Sequence, residues 1–470
     1  MKQKYVGGGG LLNKHNSLKL QKFKEKNSKR KIILTAIILS ALLLSGIYLY
    51  NSFAIFTEEK HFNVINGTVG DPGDIYFAYY VDGEITRSMP KQNTGYTLNT
   101  DKSECTNGVT PNWNNATWTF EANYSNYNAT DYTRTRCNLY FEKTSKVVST
   151  ALGNLTVNSY TPDFSKSACN NELCESHENG IYMAEDNDGT SYYYRGSVEN
   201  NYVKFAGFYW RIIRINGNGS IRMIYDGDAV YDNGEASPSR SIGSSKFNQK
   251  ENDNRVLGYM YESNNQHGLK ISSIAKGNID TFYKGNLTSY ANYIDANSGF
   301  CGDREILNGI TGAGTGSTIT FYKAFARMLE KKPSLKCSNS SDYYTISSVS
   351  TGNKALTYPI ALITADEAML GGLTSSIYLS TNETIKAPDN YLSIKVSYMT
   401  MTPIGFYNEI EYKGNKYNYY QPFIAGIGNA GHIWDWGVGN DFELRPVINL
   451  KSNLKFTGDG TKNNPYVPSL

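Results

Sequence analysis

FYWRIIRINGNGSIRMIYDG, residues 208–227, places two runs of β-branched and aromatic side chains on either side of a polar, glycine-rich turn. Such runs favour strands, and Asn-Gly pairs between them are the strongest short-range sign of a hairpin. Three arginines interrupt the apolar runs, which raises the question of a nucleic-acid surface. The segment is predicted to be a β-hairpin in the larger part of the chain.

The register of this hairpin depends on which Asn-Gly pair makes the turn. A type I′ turn at Asn218-Gly219 is predicted, since both residues tolerate positive φ angles. A turn at Asn216-Gly217 would oppose Arg211 to Arg222 and is disfavoured. The predicted cross-strand pairs are Ile213–Ile224, Ile212–Tyr225 and Arg211–Asp226. The arginines then have a carboxylate partner and a solvated face, and no nucleic-acid binding is expected.

Length and composition bound the class of protein. The chain has 470 residues, with Lys+Arg 46 against Asp+Glu 43 and a net charge of +3. That length suffices for two or three domains of roughly 100–200 residues, and the near balance of charge is not typical of polyanion binding. Tyr (38) and Gly (43) are abundant while Pro (13) is scarce, which favours β-rich structure with polar turns.

The N-terminal segment predicts a membrane anchor. Residues 32–50 carry no charge, and about 19 residues at ~1.5 Å each nearly match a hydrocarbon core of about 30 Å. Residues 1–31 are rich in Lys and Arg, so the positive-inside rule keeps them in the cytoplasm. The predicted location is the plasma membrane, single-pass, with the C-terminal ectodomain outside. A cleaved signal ending at Ser52–Ala54 is the alternative.

Cysteine usage agrees with export. All six cysteines follow the apolar segment, and an even number in an exported chain predicts disulfides. Their order suggests that sequence neighbours pair, as Cys105–Cys137, Cys169–Cys174 and Cys301–Cys337. Zinc is the alternative for CNNELC at 169–174, but the chain has no second close cysteine pair and only five His. No metal is therefore expected.

The chain is predicted to be of the α+β class. Its segments are a basic cytoplasmic segment 1–31, a transmembrane signal-anchor 32–54, a small β-rich disulfide module 55–145, a linker 146–164 and an ectodomain 165–470. Apolar spacing predicts a helix around 271–283, ITFYKAFARMLEKK a second from Ile319 to Pro333, and TADEAMLGG a third, with Thr364 and Glu367 at capping-box spacing. Helices mixed with antiparallel hairpins, without a βαβ rhythm, indicate α+β.

Several motifs of residues 165–470 occur in a specific order. They are GIYMAEDNDGTSYYYRGSVENNYVKFAGFYWRIIRINGNGSIRMIYDG, GYMYE, FCGDRE, YPIALITADEAMLGG, YMTMTPIGF, LRPVINL and GDGTKNNPYV. With them the chain resembles a family of uncharacterised surface proteins of Gram-positive bacteria. The resemblance implies an N-terminal anchor, a small cysteine-linked module and this C-terminal domain, but no activity.

LRPVINL after tryptophan-rich loops is also distantly similar to domains related to the sulfatase-modifying factor and to C-type lectins. The chain lacks the active-site cysteine pair of the first group. Gly-Asn-Asp at 439–441 matches only loosely the calcium-binding Trp-Asn-Asp of the second. No catalytic residue is carried over from this likeness.

Other motifs do not indicate catalysis. AEDNDGT at 184–190 contains Asp186 and Asp188, but Ala184 and Arg195 stand where an EF-hand needs acidic ligands, so a polar turn is favoured. His432 lies near Asp435, yet no nucleophile-elbow motif is present. Neither catalytic residues nor a cofactor are expected.

The predicted ligand-binding stretch is GHIWDWGVGNDFE, residues 431–443, a glycine-rich segment that is predicted to be a loop just before a strand. Its candidate residues are Trp434, Asp435, Trp436, Asn440 and Asp441. Exposed indole faces stack on sugar rings, and carboxylates and amides can fix hydroxyl groups. The alternative is that Trp434 and Trp436 lie on one side of a strand and fill the core.

The function expected from these features is a membrane-anchored extracellular protein that binds a glycan, a cell-wall polymer or a surface protein. Two alternatives remain open at this stage. One is a cell-envelope enzyme with an unrecognised site, and the other is a structural spacer without a specific ligand.

Overall fold

A computed structural model describes residues 75–91, 96–114, 117–128, 135–307, 309–376, 387–412 and 415–470. The chain divides into two compact units, Met1–Glu142 and Lys143–Leu470. The predicted basic segment 1–31 and membrane span 32–54 lie outside the described residues. Within the ranges that are described, no helix is long and apolar enough to cross a membrane.

Unit 1 is built from short strands. They are β1 (Tyr76–Val81), β2 (Glu84–Thr86), β3 (Tyr96–Leu98), β4 (Glu104–Cys105), β5 (Thr110–Asn114), β6 (Thr119–Asn123) and β7 (Arg136–Lys143). One sheet has the order β2-β1-β7-β3, with β4 also paired to β7, and β5 and β6 form a separate hairpin. Cys137, Leu139 and Phe141 are buried alternately along β7, so one face of this strand supplies the core.

Unit 2 contains two larger sheets. Its strands are β8 (Ser145–Thr150), β9 (Gly153–Asn158), β10 (Gly180–Glu185), β11 (Thr190–Arg195), β12 (Tyr202–Phe205), β13 (Phe208–Ile215), β14 (Ile221–Gly227), β15 (Ser244–Lys246), β16 (Met260–Tyr261), β17 (Ile271–Ser272), β18 (Phe300–Cys301), β19 (Thr320–Phe321), β20 (Tyr343–Tyr344), β21 (Thr374–Ser375), β22 (Tyr398–Tyr412), β23 (Asn415–Ile427), β24 (His432–Gly437), β25 (Asp441–Glu443), β26 (Val447–Leu450), β27 (Lys455–Thr457) and β28 (Val467–Ser469). The first sheet has the order β26-β14-β13-β11-β10-β9-β8, with β12 on β13. The second has the order β15-β25-β22-β23-β24-β21, with β19 on β22.

The α+β prediction is wrong, because the described part of the chain is mostly β-sheet, with 39% of its residues in strands and 11% in helices. The described α-helices are α1 (Ile274–Asn286), α2 (Lys323–Glu330) and α3 (Ala365–Leu370), and short 3₁₀ turns cover Pro238–Arg240, Asn254–Leu257, Thr288–Tyr290 and Ser340–Asp342. All three predicted helices exist, the first with 13 residues and the second and third with 8 and 6. The second begins four residues later than predicted, since Thr320 and Phe321 pair with β22 as a strand.

The predicted linker 146–164 is largely β-structure. Its first part forms β8 and β9, which pair in register from Ser145–Asn158 to Thr150–Gly153. Val157 of β9 then pairs with Ile181 of β10 and is fully buried. The alternation of Leu155 and Val157 with polar residues is a strand pattern, and it attaches this segment to the first sheet of unit 2.

The hairpin at 208–227 forms as β13 and β14, but its predicted register is wrong. Gly219 N donates to Asn216 O at 2.8 Å, and Gly219 has a positive φ of 83°. This is a three-residue loop followed by a glycine bulge, instead of a two-residue type I′ turn. A second irregularity, between Ile212 and Arg214, moves the pairing of the two strands further from the predicted register. The observed pairs are Trp210–Tyr225, Arg211–Ile224, Ile212–Met223, Arg214–Arg222 and Ile215–Ile221.

The arginines of the hairpin have no solvated face. Arg211, Arg214 and Arg222 are all buried, and every residue of β14 is buried as well. The hairpin lies in the middle of the first sheet, with β11 and β12 pairing with β13 and with β26 pairing with β14. Burial on both faces is why the arginines need partners inside the protein.

The six cysteines pair as predicted, in the disulfides Cys105–Cys137, Cys169–Cys174 and Cys301–Cys337. In unit 1, Cys105 and Cys137 face each other directly across β4 and β7. Both other disulfides lie in unit 2. No free cysteine is found in the described part of the chain.

Removing the Cys301–Cys337 disulfide by a double change to serine is expected to lower the free energy of unfolding by about 4 kcal/mol. The cross-link spans 36 residues, whereas Cys169–Cys174 spans 5, and a longer loop restricts the unfolded chain more, so the matched change at 169 and 174 should lower it by about 2 kcal/mol. Urea denaturation of both double variants measures the difference. Equal losses would contradict the loop-length argument.

Candidate functional site

The two tryptophans of the predicted ligand-binding stretch lie on β24. Trp434 and Trp436 share one face of this strand with His432, because side chains alternate along a strand. All three side chains are half-buried, whereas Trp210 of the hairpin is fully buried. The rings of His432 and Trp434 are 5.0 Å apart. We refer to His432, Trp434 and Trp436 as the aromatic row.

Glycines in and directly after the neighbouring strand β23 make room for this row. Trp434 pairs with Gly426 of β23, and a Cβ atom at Gly426 would lie 2.7 Å from the ring of Trp436. A Cβ atom at Gly428 would lie 2.8 Å from the ring of His432. Both rings therefore pack directly against the backbone, which is possible because Gly426 and Gly428 have no Cβ atom. Trp436 also meets the ring of Phe442 edge-on, with centroids 3.8 Å apart.

The polar residues predicted for the same site are not gathered around the indoles. Asp435 points to the opposite face of β24, where its Oδ2 accepts a hydrogen bond from the Tyr407 hydroxyl at 2.5 Å. Asn440 and Asp441 are exposed just beyond the end of β24, where Asn440 N donates to Gly437 O at 3.0 Å. The structure thus brings Trp434 and Trp436 together, places Asn440 and Asp441 at one end of them, and separates Asp435.

The nitrogen atoms of the aromatic row are shielded. Trp434 Nε1, Trp436 Nε1 and His432 Nδ1 are buried and have no hydrogen-bond partner among the described residues. Burial lowers the pKa of His432 to about 4, so this ring is neutral at neutral pH. The row therefore presents ring surface without charge.

The cysteines of CNNELC, residues 169–174, for which zinc binding was the alternative, are joined in a disulfide. Sγ atoms of Cys169 and Cys174 lie close to a carboxylate oxygen of Asp389. Both sulfur atoms are joined in a disulfide, however, and zinc is bound by thiolates. This cluster is a disulfide beside an acidic side chain.

A second candidate site is a polar pocket where the β10–β11 and β13–β14 turns meet the start of α3. The space enclosed by its walls and its open mouth is about 560 Å³. The charged residues that line it are Asp186, Asp188, Arg214, Arg222, Asp303, Lys336, Asp366 and Glu367. The two turns are in close contact, since a Cβ atom at Gly217 would lie 2.6 Å from Asp186 Oδ1.

The floor of the pocket is a buried ion-pair chain. Arg214 Nη1 donates to Asp186 Oδ2 at 2.7 Å, and its Nε donates to Glu367 Oε1 at 3.2 Å. Arg222 Nε lies 2.9 Å from the same Oε1, without the alignment of a hydrogen bond. The opposition of Arg214 to Arg222 in the hairpin is tolerated because two carboxylates balance the two arginines, with Glu367 shared by both and Asp186 on Arg214.

Burial and charge act in opposite directions on this chain. Burial raises the pKa of Glu367, but the charges of Arg222 and Arg214 outweigh it and hold that pKa below its ordinary value. Burial lowers the pKa of Arg222 to about 10. At neutral pH Glu367 is therefore ionised and Arg222 is protonated.

The helix that carries Glu367 begins at the pocket wall. Thr364 and Glu367 form the predicted capping box, in which each side chain satisfies the other's backbone N–H. Asp366 in the first turn accepts from Arg327 at 2.9 and 2.8 Å and from Ser334 N at 2.9 Å. Arg327 also bonds Asp303. The capping residues predicted from the sequence are thus also the residues that close the pocket.

Sequence reasoning missed this pocket because it assigned the arginines to solvent. The available signal was their position inside otherwise apolar runs, RIIRI and IRMI, which contain no polar residue besides the arginines. A charged side chain within a strand buried on both faces requires a buried partner. The AEDNDGT turn, interpreted as a polar turn, supplies one such partner in Asp186.

These features define a β-rich protein of two units, each with disulfides of its own. The second unit carries the aromatic row and the polar pocket. Comparison of the chain with protein-family models, with curated proteins and with solved structures finds no match. Function must therefore be argued from the two candidate sites themselves.

Proposed function

We propose that this protein is an exported, non-enzymatic binding module that holds a glycan or cell-wall polymer on its aromatic row. The observation that supports this most directly is the set of three half-buried rings on one face of β24, backed by glycines. Rings in this setting offer apolar surface to a ligand, while the exposed Asn440 and Asp441, just beyond the end of β24, offer polar groups.

The spacing of the row suits a repeating ligand. Alternate residues of a strand are about 7 Å apart, so Trp434 and Trp436 can contact neighbouring units of one chain. Sugar rings have an apolar face that packs on indole, and tryptophan combines a large contact area with few rotatable bonds. A glycan or wall polymer therefore fits this surface better than a compact metabolite does.

Location outside the cytoplasm is part of the same proposal. Three disulfides and no free thiol are found in the described part of the chain. Disulfides persist in oxidising compartments and are rare in the cytosol of mesophiles. An exported protein would meet wall polymers directly.

Alanine at Trp436 or at Trp434 is expected to weaken polymer binding by about tenfold, since stacking on one aromatic ring is worth about 0.5–1.5 kcal/mol beyond the buried area. The measurement is co-sedimentation of the full chain with purified peptidoglycan and with a panel of insoluble polysaccharides. The matched control is Tyr290→Ala, which removes an aromatic ring that is 38% exposed elsewhere in unit 2. Retention of folded tryptophan variants at the wild-type level, or no sedimentation of the wild type with any polymer, would contradict the proposal.

A further inference from the structure

We infer that Cys169, Cys174 and Asp389 form a zinc site once the disulfide between the two cysteines is reduced. Their two sulfur atoms and one carboxylate oxygen lie within 4.8 Å of one another. In the oxidised protein the disulfide occupies both sulfur ligands, so the cross-link and the metal site are alternative states of one loop. None of these residues belongs to the aromatic row, and the inference does not depend on the function proposed for that row.

The ligand set has the donors and the spacing that zinc uses. Zinc is bound by thiolates and carboxylates in a tetrahedral arrangement, and two cysteines separated by two to four residues are a common pair of ligands. Ligand atoms around such an ion are about 3.6–3.8 Å apart, given bonds of about 2.3 Å to sulfur and about 2.1 Å to oxygen. The carboxylate oxygen of Asp389 already lies near this range. The two sulfur atoms reach it by separating about 1.7 Å after the bond between them breaks.

Hydrogen bonds outside the disulfide hold the two halves of the site together. Asn390, the neighbour of Asp389, is fully buried, and its Nδ2 donates to Ala168 O at 3.0 Å. Cys169 N donates to Ser176 O at 3.3 Å, which closes the base of the loop. None of these bonds involves a sulfur atom. Reduction is therefore expected to leave Cys169 beside Asp389.

The carboxylate of Asp389 has no counter-charge among the described residues. Its side chain is half-buried, and no Lys or Arg nitrogen of the described residues lies within ion-pair distance of it. Its Oδ1 is buried and accepts no hydrogen bond from them. A buried acceptor is costly unless a donor or a cation reaches it. A zinc ion held by the two thiolates would supply that positive charge.

Two balanced reactions connect the two states. A two-electron reductant breaks the S–S bond and two thiols form, while a dithiol reductant becomes a disulfide or a phosphine takes oxygen from water and becomes a phosphine oxide. Zn²⁺ then displaces the two thiol protons and forms two Zn–S bonds and one Zn–O bond. Oxidation of the thiolates restores the disulfide and releases the ion. Because disulfides persist in oxidising compartments and thiols in reducing ones, the loop holds metal only where a reductant prevails.

The donors and their burial exclude other uses of this cluster. Thiolates do not suit calcium or magnesium, and a carboxylate does not suit Cu(I), whereas zinc accepts both kinds of ligand. An enzyme of thiol–disulfide exchange presents a reactive, accessible thiolate to its partner. Cys169 and Cys174 are instead 0% and 7% exposed, although the four residues between them are all exposed. A small ion needs less room at this position than a protein partner does.

Zinc titration of the full chain against a chromophoric chelator, with and without a phosphine reductant, tests the inference. We expect the reduced chain to bind one zinc ion that the oxidised chain does not bind. Asp389→Asn should weaken this binding about tenfold or more, since even the outer partners of zinc ligands are worth about 10–100-fold. Cys169→Ser combined with Cys174→Ser should abolish it. Cys301→Ser combined with Cys337→Ser removes two thiols elsewhere in unit 2 and should retain the ion.

Each other outcome overturns the inference. These outcomes are wild-type affinity in Asp389→Asn, retention of the ion without Cys169 and Cys174, its loss from the folded control variant, and no binding by the reduced chain. Unfolding on reduction that zinc does not reverse, measured by circular dichroism, would also exclude a preformed site. Cobalt provides a second measurement, since its thiolate charge-transfer absorption must appear in the reduced wild type.

Replacement variants keep the test decisive if a substitution prevents folding. Asp389→Ser takes the place of Asp389→Asn. Cys105→Ser combined with Cys137→Ser, which removes the disulfide of unit 1, takes the place of the control variant.

Discussion

Replacing Glu367 by glutamine is expected to lower the free energy of unfolding of unit 2 by about 3–5 kcal/mol, the usual cost of removing one partner from a buried ion pair. Glutamine still suits the N3 position of a capping box, so α3 keeps its start. The charge alone is lost. Arg222 then has no carboxylate within ion-pair distance among the described residues, and Arg214 retains only Asp186.

Chemical denaturation followed by near-ultraviolet circular dichroism measures this loss. Glu330→Gln is the matched control, because Glu330 pairs with Lys332 on the surface with a side chain that is 59% exposed. Exposed pairs of this kind contribute about 0–1 kcal/mol. A loss at Glu367 as small as the loss at Glu330 would show that the arginines do not depend on this carboxylate.

The same carboxylate predicts a pH dependence. The folded-state pKa of Glu367 is held below its unfolded value of about 4.3. Its contribution to stability is therefore complete above that unfolded value and is lost as the pH falls through the lower folded value. Between neutral pH and about pH 3, the wild type should lose more stability than Glu367→Gln does.

The local features of this chain could be predicted from sequence because they depend on near neighbours. The capping box follows from the spacing of Thr364 and Glu367, and the three disulfides join neighbouring cysteines. The position of the hairpin follows from the same kind of signal, since turn residues lie between two β-type runs. Its register does not, because the turn is a three-residue loop with a bulge and a second irregularity between Ile212 and Arg214 shifts the pairs further.

The pocket could not be predicted because it depends on contacts between distant residues. Arg214 and Glu367 are 153 residues apart in sequence, and no local pattern indicates that they meet. The hairpin sequence is compatible both with arginines exposed to solvent and with arginines paired inside the core. Which of the two occurs depends on the elements that cover the hairpin. One of these elements, β26, lies more than 200 residues beyond it in the sequence.

The aromatic row is an intermediate case. A period of two places Trp434 and Trp436 on one face of a strand, as the alternative to the predicted loop held, and the same period sends Asp435 to the other face. Grouping all five candidate residues into one loop overlooked this alternation. The glycines that lie against the rings are Gly426 in β23 and Gly428 directly after it, and these contacts can be recognised only once β23 and β24 pair.

A second buried charge cluster lies at the end of the hairpin, where one carboxylate serves three arginines. Asp226 Oδ1 accepts from Arg240 Nε and Nη2 at 3.0 and 2.7 Å and from Arg445 Nη2 at 2.8 Å, and Arg211 Nη1 lies 4.0 Å from its Oδ2. All four side chains are fully buried. The remaining guanidinium donors go largely to backbone carbonyls, such as those of Glu235 and Leu392.

Replacing Asp226 by asparagine is therefore expected to lower the free energy of unfolding by about 3–5 kcal/mol. The change keeps the shape of the side chain but leaves three buried guanidinium groups without a counter-charge among the described residues. Aromatic faces help Arg211 and Arg445, which lie 3.7 and 4.9 Å from the rings of Tyr202 and Tyr398, yet such contacts supply about 2 kcal/mol each when desolvated.

Asp228→Asn makes the same chemical change two residues away on an exposed side chain, and it should alter stability by no more than about 0.5 kcal/mol. Thermal and urea unfolding of the two variants side by side provide the measurement. If Asp226→Asn costs less than about 1 kcal/mol, the backbone carbonyls and aromatic rings are sufficient to hold three buried positive charges, and the carboxylate is dispensable. A large loss of stability for Asp226→Asn, with none for Asp228→Asn, would instead show that this single charge allows the hairpin, the 3₁₀ turn Pro238–Arg240 and β26 to pack together.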